Sequence, residues 1–376
     1  MTRTPSPIVA ASADDDGVRR LAGACYLAMA SGDPTWLHAL PSVDSMQRSG
    51  LGATWANLRA RHGMQAPREA AMAGMHLSAG IARRWERLRE TLASARTAGF
   101  SPVLFKGGAI HARWPETRET RPLSDYDLIV PQAEADAFRA FLARRGFRSP
   151  PMGSRLTRWL SKGWMVWRGE GPTYENLDIH ARVTEPPMCT SLTRSILGSR
   201  ESRDGLRIPD AHDSACMIAL HVARSGMHRP LHEYLDLLRF VDGMADADWL
   251  ALQERARRHH LQPALFAALR QALHCLALRE LDPARAAALE TRIDALGRRI
   301  GALRRHALDR VAPLDHPLHP DPAQDRPLVR RSLVFWAGTD SSWRVMAAFV
   351  LYGGARLLDR LPGSGPRAGE DGDQAP

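Results

Sequence analysis

Three aspartates have a spacing at which their carboxylates can share metal ions. Asp125 and Asp127 are two residues apart in the segment LSDYDLIV, and Asp178 lies in the later segment LDIH. Side chains two residues apart in a strand point to the same face of a sheet, and carboxylate oxygens suit Mg²⁺. If the strand of Asp178 lies beside the first strand, we predict that the three acids bind two Mg²⁺ ions about 3.5–4 Å apart, with Mn²⁺ as the alternative ion. Such a pair activates an attacking hydroxyl and stabilises a leaving pyrophosphate.

A second group of residues is suited to binding phosphate. A short apolar run that ends at Phe105 is followed by Lys106, Gly107 and Gly108, and then by a short predicted helix. Glycines let backbone N–H groups approach phosphate oxygens, and the N-terminus of a helix favours anions. Lys106 adds a compact positive charge, although the spacing of a Walker A loop is absent. We therefore predict that Lys106, Gly107 and Gly108 bind the phosphates of a nucleotide.

Two more candidates for nucleotide binding each have two interpretations. Arg121 can steady a triphosphate, or it can form an ion pair with a structural acid. His180 shares a strand face with Asp178, so it can orient an aspartate through a hydrogen bond, which we favour, or lie at the rim of the site. Asp236 lies in an apolar helical segment, and because a buried charge needs a partner, we predict that it pairs with an arginine or with His221.

The elements that must position these residues form a mixed α/β segment between two helical regions. Periodicity and turn residues predict strands at 102–105, Leu123–Val130, Trp164–Trp167 and Leu177–Val183, and an amphipathic helix at Gln132–Arg145. Helices are predicted before this segment at 14–30 and 67–99, and after it at 210–225, 231–242, 247–259, 263–278, 283–308 and 340–361.

The composition is that of a globular protein. Of 376 residues, 44% are hydrophobic and 24% are charged, which excludes a disordered chain. No apolar stretch is long enough to span a membrane, and the polar, acidic N-terminus does not resemble a signal peptide. Four scattered cysteines indicate neither a zinc knuckle nor a disulfide framework, so we expect a reducing cytoplasm.

The basic residues are almost all arginine. The chain has 51 Lys plus Arg against 41 acids, a formal net charge of +10, yet Lys106 and Lys162 are its two lysines. A basic surplus permits nucleic-acid binding, but arginines alternate with Glu86 and Glu90 as on a solvated helix face. Nucleic acid is therefore the less favoured partner. Lys162 lies in a turn before the predicted hairpin and has no predicted role.

The order of these segments resembles the uncharacterised nucleotidyltransferase family of the DNA polymerase β-like superfamily. The resemblance covers roughly residues 80–300 and rests on Leu104-Phe105-Lys106-Gly107-Gly108, on Arg121-Pro122-Leu123-Ser124-Asp125-Tyr126-Asp127-Leu128-Ile129-Val130, on Leu177-Asp178-Ile179-His180, and on helical segments around His221 and Asp236. It implies an α+β fold with a small mixed sheet flanked by helices. It also implies that Asp125, Asp127 and Asp178 bind metal and that Lys106, Gly107 and Gly108 lie on the phosphate side.

The predicted organisation places the family's core between helical regions. Its parts are a disordered N-terminus at 1–13, a helical region at 14–98, a nucleotidyltransferase core at 99–200, a helical domain at 201–310, a loop and helix at 311–361, and a disordered tail at 362–376. The resemblance implies transfer of a nucleoside monophosphate from an NTP co-substrate to an acceptor that is a small molecule, a peptide or protein side chain, or RNA. The alternative is a catalytically silent relative that binds a protein or nucleic acid.

Overall fold

The computed structural model describes most of the chain up to residue 308. Described are residues 13–302 apart from 40, 43–44, 47–48, 151–161, 171–173, 185–188, 200, 226 and 228–229, together with residues 305, 306 and 308. The predicted loop and helix at 311–361 and the predicted disordered tail lie outside the described residues. So does the predicted disordered N-terminus, except that the first helix already includes residue 13.

In the described part of the chain, helices precede the sheet. They are α1 (Ala13–Ser31), α2 (Gly52–Arg61) and α3 (Arg68–Thr97), with a short 3₁₀ helix at Pro34–Leu37 between the first two. Pro67 caps α3, and Gly99, with a φ of +86°, follows its end, as the sequence predicts. The stripe predicted to face the core is buried at all four positions, Ile81, Trp85, Leu88 and Leu92.

The central segment forms a four-stranded mixed sheet, which confirms the predicted α+β class. Its elements are β1 (Val103–Phe105), α4 (Lys106–Arg113), α5 (Thr117–Thr120), β2 (Tyr126–Ile129), a 3₁₀ turn at Gln132–Glu134, α6 (Ala135–Arg144), β3 (Gly163–Arg168) and β4 (Glu175–His180). The strand order is β1-β2-β4-β3. β2 and β4 are parallel, and the two outer pairs are antiparallel.

Helices follow the sheet, interrupted by one small hairpin. They are α7 (Thr190–Gly198), the hairpin of β5 (Ser202–Arg203) and β6 (Leu206–Arg207), α8 (Ala211–Arg224), α9 (Leu231–Val241), α10 (Asp246–Arg258), α11 (Gln262–Cys275), α12 (Leu278–Leu281) and α13 (Pro283–Arg298). The five helices predicted between 210 and 308 are confirmed, although α13 ends at Arg298 rather than at 308. None of the described helices is both long enough and apolar enough to cross a membrane.

The sheet separates two hydrophobic cores. On one face, Leu104, Leu128 and Leu177 pack with Trp85 of α3 and Phe138 of α6. On the other face, residues of β1 and β2 join the large core formed by α1, α2 and the helices after the sheet; they are Val103, Phe105 and Ile129. Because side chains alternate along a strand, the acidic residues of β2 and β4 share this second face. The candidate site therefore lies between the sheet and the C-terminal helices.

Candidate metal and nucleotide site

The pairing of β2 with β4 brings two of the three predicted carboxylates together. Asp127 and Asp178 are direct partners in the parallel register, and His180 lies two residues beyond Asp178 on the same face. Neighbouring strands are about 4.8 Å apart. One ligand atom from each of the three residues lies within 4.8 Å of the other two. Asp127, Asp178 and His180 thus form a cluster that can hold a metal ion.

His180 is hydrogen-bonded to both aspartates. Its Nε2 lies 3.0 Å from Asp127 Oδ1 and 2.9 Å from Asp178 Oδ2. Ionised carboxylates only accept, so Nε2 carries the proton and donates it. The ring packs edge-on against Phe105 with 4.9 Å between centroids. This geometry matches the favoured interpretation, in which His180 orients the aspartates.

Two lysines flank the two carboxylates. Lys106 Nζ forms an ion pair with Asp127 Oδ1, and Lys162 Nζ lies 3.8 Å from Asp178 Oδ2. Lys106 is the first residue of α4 and has a φ of 51°, an uncommon backbone conformation for a residue other than glycine. Lys162 is a residue of the site that the sequence analysis missed. Its one signal in the sequence is that lysine is retained in a chain whose other basic residues, apart from Lys106, are arginines.

These cations keep both carboxylates ionised. Burial acts to raise the pKa of Asp127, but the Lys106 ammonium and the hydrogen bond from His180 together lower that pKa well below its usual range. Burial likewise opposes ionisation of Asp178, and His180 and Lys162 lower its pKa. Both side chains are therefore negative at neutral pH, which is the form that binds a divalent cation.

Asp125 lies outside this cluster. The strand predicted to begin at Leu123 begins at Tyr126, so Asp125 is in the preceding loop, where its Oδ1 accepts a hydrogen bond of 2.8 Å from Ser124 Oγ. The prediction of the strand start is wrong. The pairs of β2 with β1 end at Phe105 and Asp127, and its pairs with β4 begin at Tyr126 and Leu177, so residues 123–125 lie before the paired part of the strand. The role of Asp125 as a metal ligand stays a prediction.

The two glycines of the predicted phosphate element belong to the first turn of α4 and are tightly packed. A Cβ at Gly107 would lie 2.6 Å from Arg121 Nη1, and a Cβ at Gly108 would lie 2.9 Å from Leu104 Cγ. Real Cβ atoms almost never come so close to another atom, so a larger residue at either position would require the side chains of Arg121, Leu123 or Leu104 to move. Close packing is one structural reason for glycine at both positions. Phosphate binding by their N–H groups stays a prediction.

Arg121 connects this element to the C-terminal helices. Its Nε donates a 2.7 Å hydrogen bond to Asp236 Oδ2 on α9, and both side chains are buried. The predicted arginine partner of Asp236 is thus Arg121, and of its two interpretations the pairing with a structural acid matches the geometry. Burial raises the pKa of Asp236 even though Arg121 acts to lower it.

The donor set fits a hard divalent cation. Asp127 and Asp178 offer carboxylate oxygens, which Mg²⁺ and Mn²⁺ accept, whereas His180 Nε2 would add a nitrogen ligand only after losing the proton that it donates to them. The lysines beside them can hold phosphate oxygens. Carboxylates that can bind a metal ion thus lie next to ammonium groups that can bind phosphate. This arrangement suits a phosphate ligand that carries a metal ion.

Comparison with known proteins yields one family. A family described as uncharacterised nucleotidyltransferase matches residues 68–277, which include the sheet, the acidic cluster and both lysines. Comparison with the curated proteins finds no match, and comparison with the solved structures finds none either. The match covers more than half of the chain and agrees with the resemblance inferred from the motifs. The chain belongs to the uncharacterised nucleotidyltransferase family.

Proposed function

We propose that the protein is a metal-dependent nucleotidyltransferase that moves a nucleoside monophosphate from an NTP to an acceptor and releases pyrophosphate. One observation carries the proposal. Asp127 and Asp178 are partners on neighbouring parallel strands, joined by His180 and flanked by lysines, in a chain of a nucleotidyltransferase family. The acceptor is a small molecule, a peptide or protein side chain, or RNA.

Asp127 and Asp178, with His180 beside them, are the residues proposed to hold Mg²⁺ or Mn²⁺. We keep Asp125 in the proposal as a third carboxylate, since it directly precedes β2 and lies two residues before Asp127. A divalent cation at this place would neutralise charge on the triphosphate and lower the pKa of an acceptor hydroxyl.

The protein's own groups position the reactants. The N–H of His180 holds the two carboxylates side by side, and Lys106 together with the first turn of α4 offers a cation and backbone donors to phosphate. The acceptor hydroxyl gives up its proton to solvent, and its oxygen bonds to the α-phosphorus while the bond from that phosphorus to the oxygen bridging the β-phosphate breaks. The electron pair of the broken bond remains on the bridging oxygen, so the negative charge leaves with pyrophosphate. The side chains need only hold the two oxygens in line and stabilise the charge.

The test replaces each carboxylate with its amide. Asp127→Asn and Asp178→Asn keep the side-chain shape, so the fold should persist by circular dichroism while metal-dependent use of NTP falls by at least about a hundredfold, which is the effect of losing several kcal/mol of charge stabilisation. Nucleotide binding is measured by calorimetry with ATP, GTP, CTP and UTP plus Mg²⁺ or Mn²⁺. Products are identified by mass spectrometry of candidate acceptors.

The matched control is Asp136→Asn, which removes a carboxylate with 93% exposure in the first turn of α6. This variant should behave like the wild type. Full activity in Asp127→Asn or Asp178→Asn would contradict the proposal. Failure of the wild-type protein to bind any of the four nucleotides would instead favour a catalytically silent binding module.

A further inference from the structure

Lys162 differs from the other basic residues in both type and position. It is one of two lysines in a chain with 51 basic residues, and both lysines contact the acidic pair of the candidate site. An ammonium is a compact point charge on a flexible stem, whereas guanidinium is a broad planar fork. The place that Lys162 occupies beside Asp178 suits the compact group. The sequence motifs assign no role to Lys162, so its place beside Asp178 requires an explanation.

The backbone of Lys162 is fixed against β4. Its carbonyl oxygen accepts hydrogen bonds from the N–H groups of Ala181 at 2.9 Å and Arg182 at 3.1 Å, directly after the strand that carries Asp178 and His180. The next residue, Gly163, pairs with His180, and a Cβ there would lie 2.8 Å from His180 Cα. Only glycine permits this approach. The fold therefore holds the start of the Lys162 side chain at the end of β4 that carries the site.

The candidate site opens toward Lys162. The exposed fraction of the side chains is 7% for Asp127, 15% for Lys106, 21% for Asp178 and 31% for Lys162. A ligand entering from solvent would thus meet Lys162 before it meets the buried aspartate. The 3.8 Å contact with Asp178 is longer than a hydrogen bond. The ammonium therefore has three N–H donors that this carboxylate does not use.

Positive charge gathers around Lys162. Lys106 and Arg224, which ends α8, both lie close enough to act on it electrostatically. Three basic side chains thus approach a site with two carboxylates. Once a divalent cation neutralises the carboxylates, the surplus positive charge is suited to a polyanion.

We propose that Lys162 binds the β- and γ-phosphates of the nucleotide from the solvent side, opposite Lys106, and so holds the leaving pyrophosphate. This inference rests on the proposed nucleotidyltransferase function. It assigns Lys162 to the part of the substrate that leaves, not to the part that is transferred. A different outcome follows if Lys162 merely neutralises Asp178, because its removal would then change the affinity for metal rather than for phosphate.

The experiment compares ligands that share or lack the β- and γ-phosphates. Calorimetry with Mg²⁺ measures binding of inorganic pyrophosphate, ATP and AMP to the wild type, to Lys162→Gln and to Lys162→Arg. In Lys162→Gln, pyrophosphate and ATP should bind about tenfold or more weakly, as expected for loss of a charge-assisted contact, while AMP and Mg²⁺ bind as in the wild type. Lys162→Arg should restore part of the loss. Thermal melting checks that the variants fold.

The control is Arg298→Gln, which removes one exposed positive charge at the end of α13 and should leave all affinities unchanged. Wild-type affinity for pyrophosphate and ATP in Lys162→Gln overturns the inference. An equal loss of AMP binding, or a change confined to Mg²⁺, also overturns it. If the wild-type protein binds ATP but Lys162→Gln is unaffected, only this inference fails. If the wild type binds neither ATP nor pyrophosphate, the proposed function fails as well.

Discussion

The buried ion pair between Arg121 and Asp236 gives the sharpest test of how the candidate site is supported. The two groups meet at 2.7 Å, and their side chains are 9% and 7% exposed. Arg121 also packs its guanidinium against Gly107 and donates a 3.1 Å hydrogen bond to the Pro122 carbonyl. We consider three variants, Arg121→Met, Asp236→Leu and the double variant that carries both changes.

The expected magnitudes follow from burial. At an effective dielectric constant near 20, two unit charges about 4 Å apart attract by about 4 kcal/mol. Burial nevertheless raises the pKa of Asp236 despite Arg121, so desolvation consumes most of that attraction and the intact pair stabilises the fold little. Each single variant leaves one buried charge without its partner and should lower the free energy of unfolding by about 3–5 kcal/mol. The double variant removes both charges and should lie within about 1–2 kcal/mol of the wild type.

Urea unfolding followed by tryptophan fluorescence measures these differences. A single variant that costs under about 1 kcal/mol, or a double variant whose loss equals the sum of the single losses, would refute the reasoning. Calorimetry with pyrophosphate on the double variant then separates the two interpretations of Arg121. Retained binding means that Arg121 acts through packing and Asp236, whereas lost binding in a stable protein means that it contacts the triphosphate.

Two further predictions concern the packing around the site. Gly163→Ala should lower the melting temperature, because the added Cβ would overlap the backbone of β4. Gly80→Ala in α3 should instead stabilise the protein by about 0.5–1 kcal/mol, because a Cβ there would meet no atom within 4 Å. Equal melting temperatures of the two variants would contradict this. His111 is buried in α4, and burial followed by the charge of Arg121 holds its pKa well below the usual range. Below about pH 6.5 only the unfolded chain takes up this proton, so stability present at higher pH is lost as the pH falls. His111→Gln should flatten this loss in unfolding measured from pH 7.5 to 5, and an unchanged slope would show the reasoning to be wrong.

Local patterns predicted the elements well because they depend on nearby residues. The α3 stripe at Ile81, Trp85, Leu88 and Leu92 follows the helical period, and each of these residues is buried. In β4 the alternation of Leu177 with Asp178 predicted which side chains face the core. The pairing of that strand with β2, which was the condition of the predicted metal site, then brought Asp127 and Asp178 into register.

Long-range geometry set the parts that the sequence analysis did not predict. Asp125 and Asp127 have the right spacing for one strand face, but spacing cannot reveal that the pairs with β1 end at Asp127 and those with β4 at Tyr126, which leaves residues 123–125 in the preceding loop. Lys162 is 16 residues from Asp178 in the sequence, and it reaches that carboxylate only because β3 folds back along β4. The choice of lysine over arginine at Lys162 was visible, yet its meaning depended on this contact.

The ion pair between Arg121 and Asp236 helps to explain why helices cover the acidic face of the sheet. Arg121 lies between the first turn of α4, which begins with Lys106, and α9, which carries Asp236. Phe105 lies under His180 and belongs to the same hydrophobic core as α8, α9 and α11. A sheet of four short strands cannot bury both of its faces alone. The C-terminal helices bury one face of the sheet and hold Arg121 behind the proposed phosphate element, so they are part of the structure that positions the site.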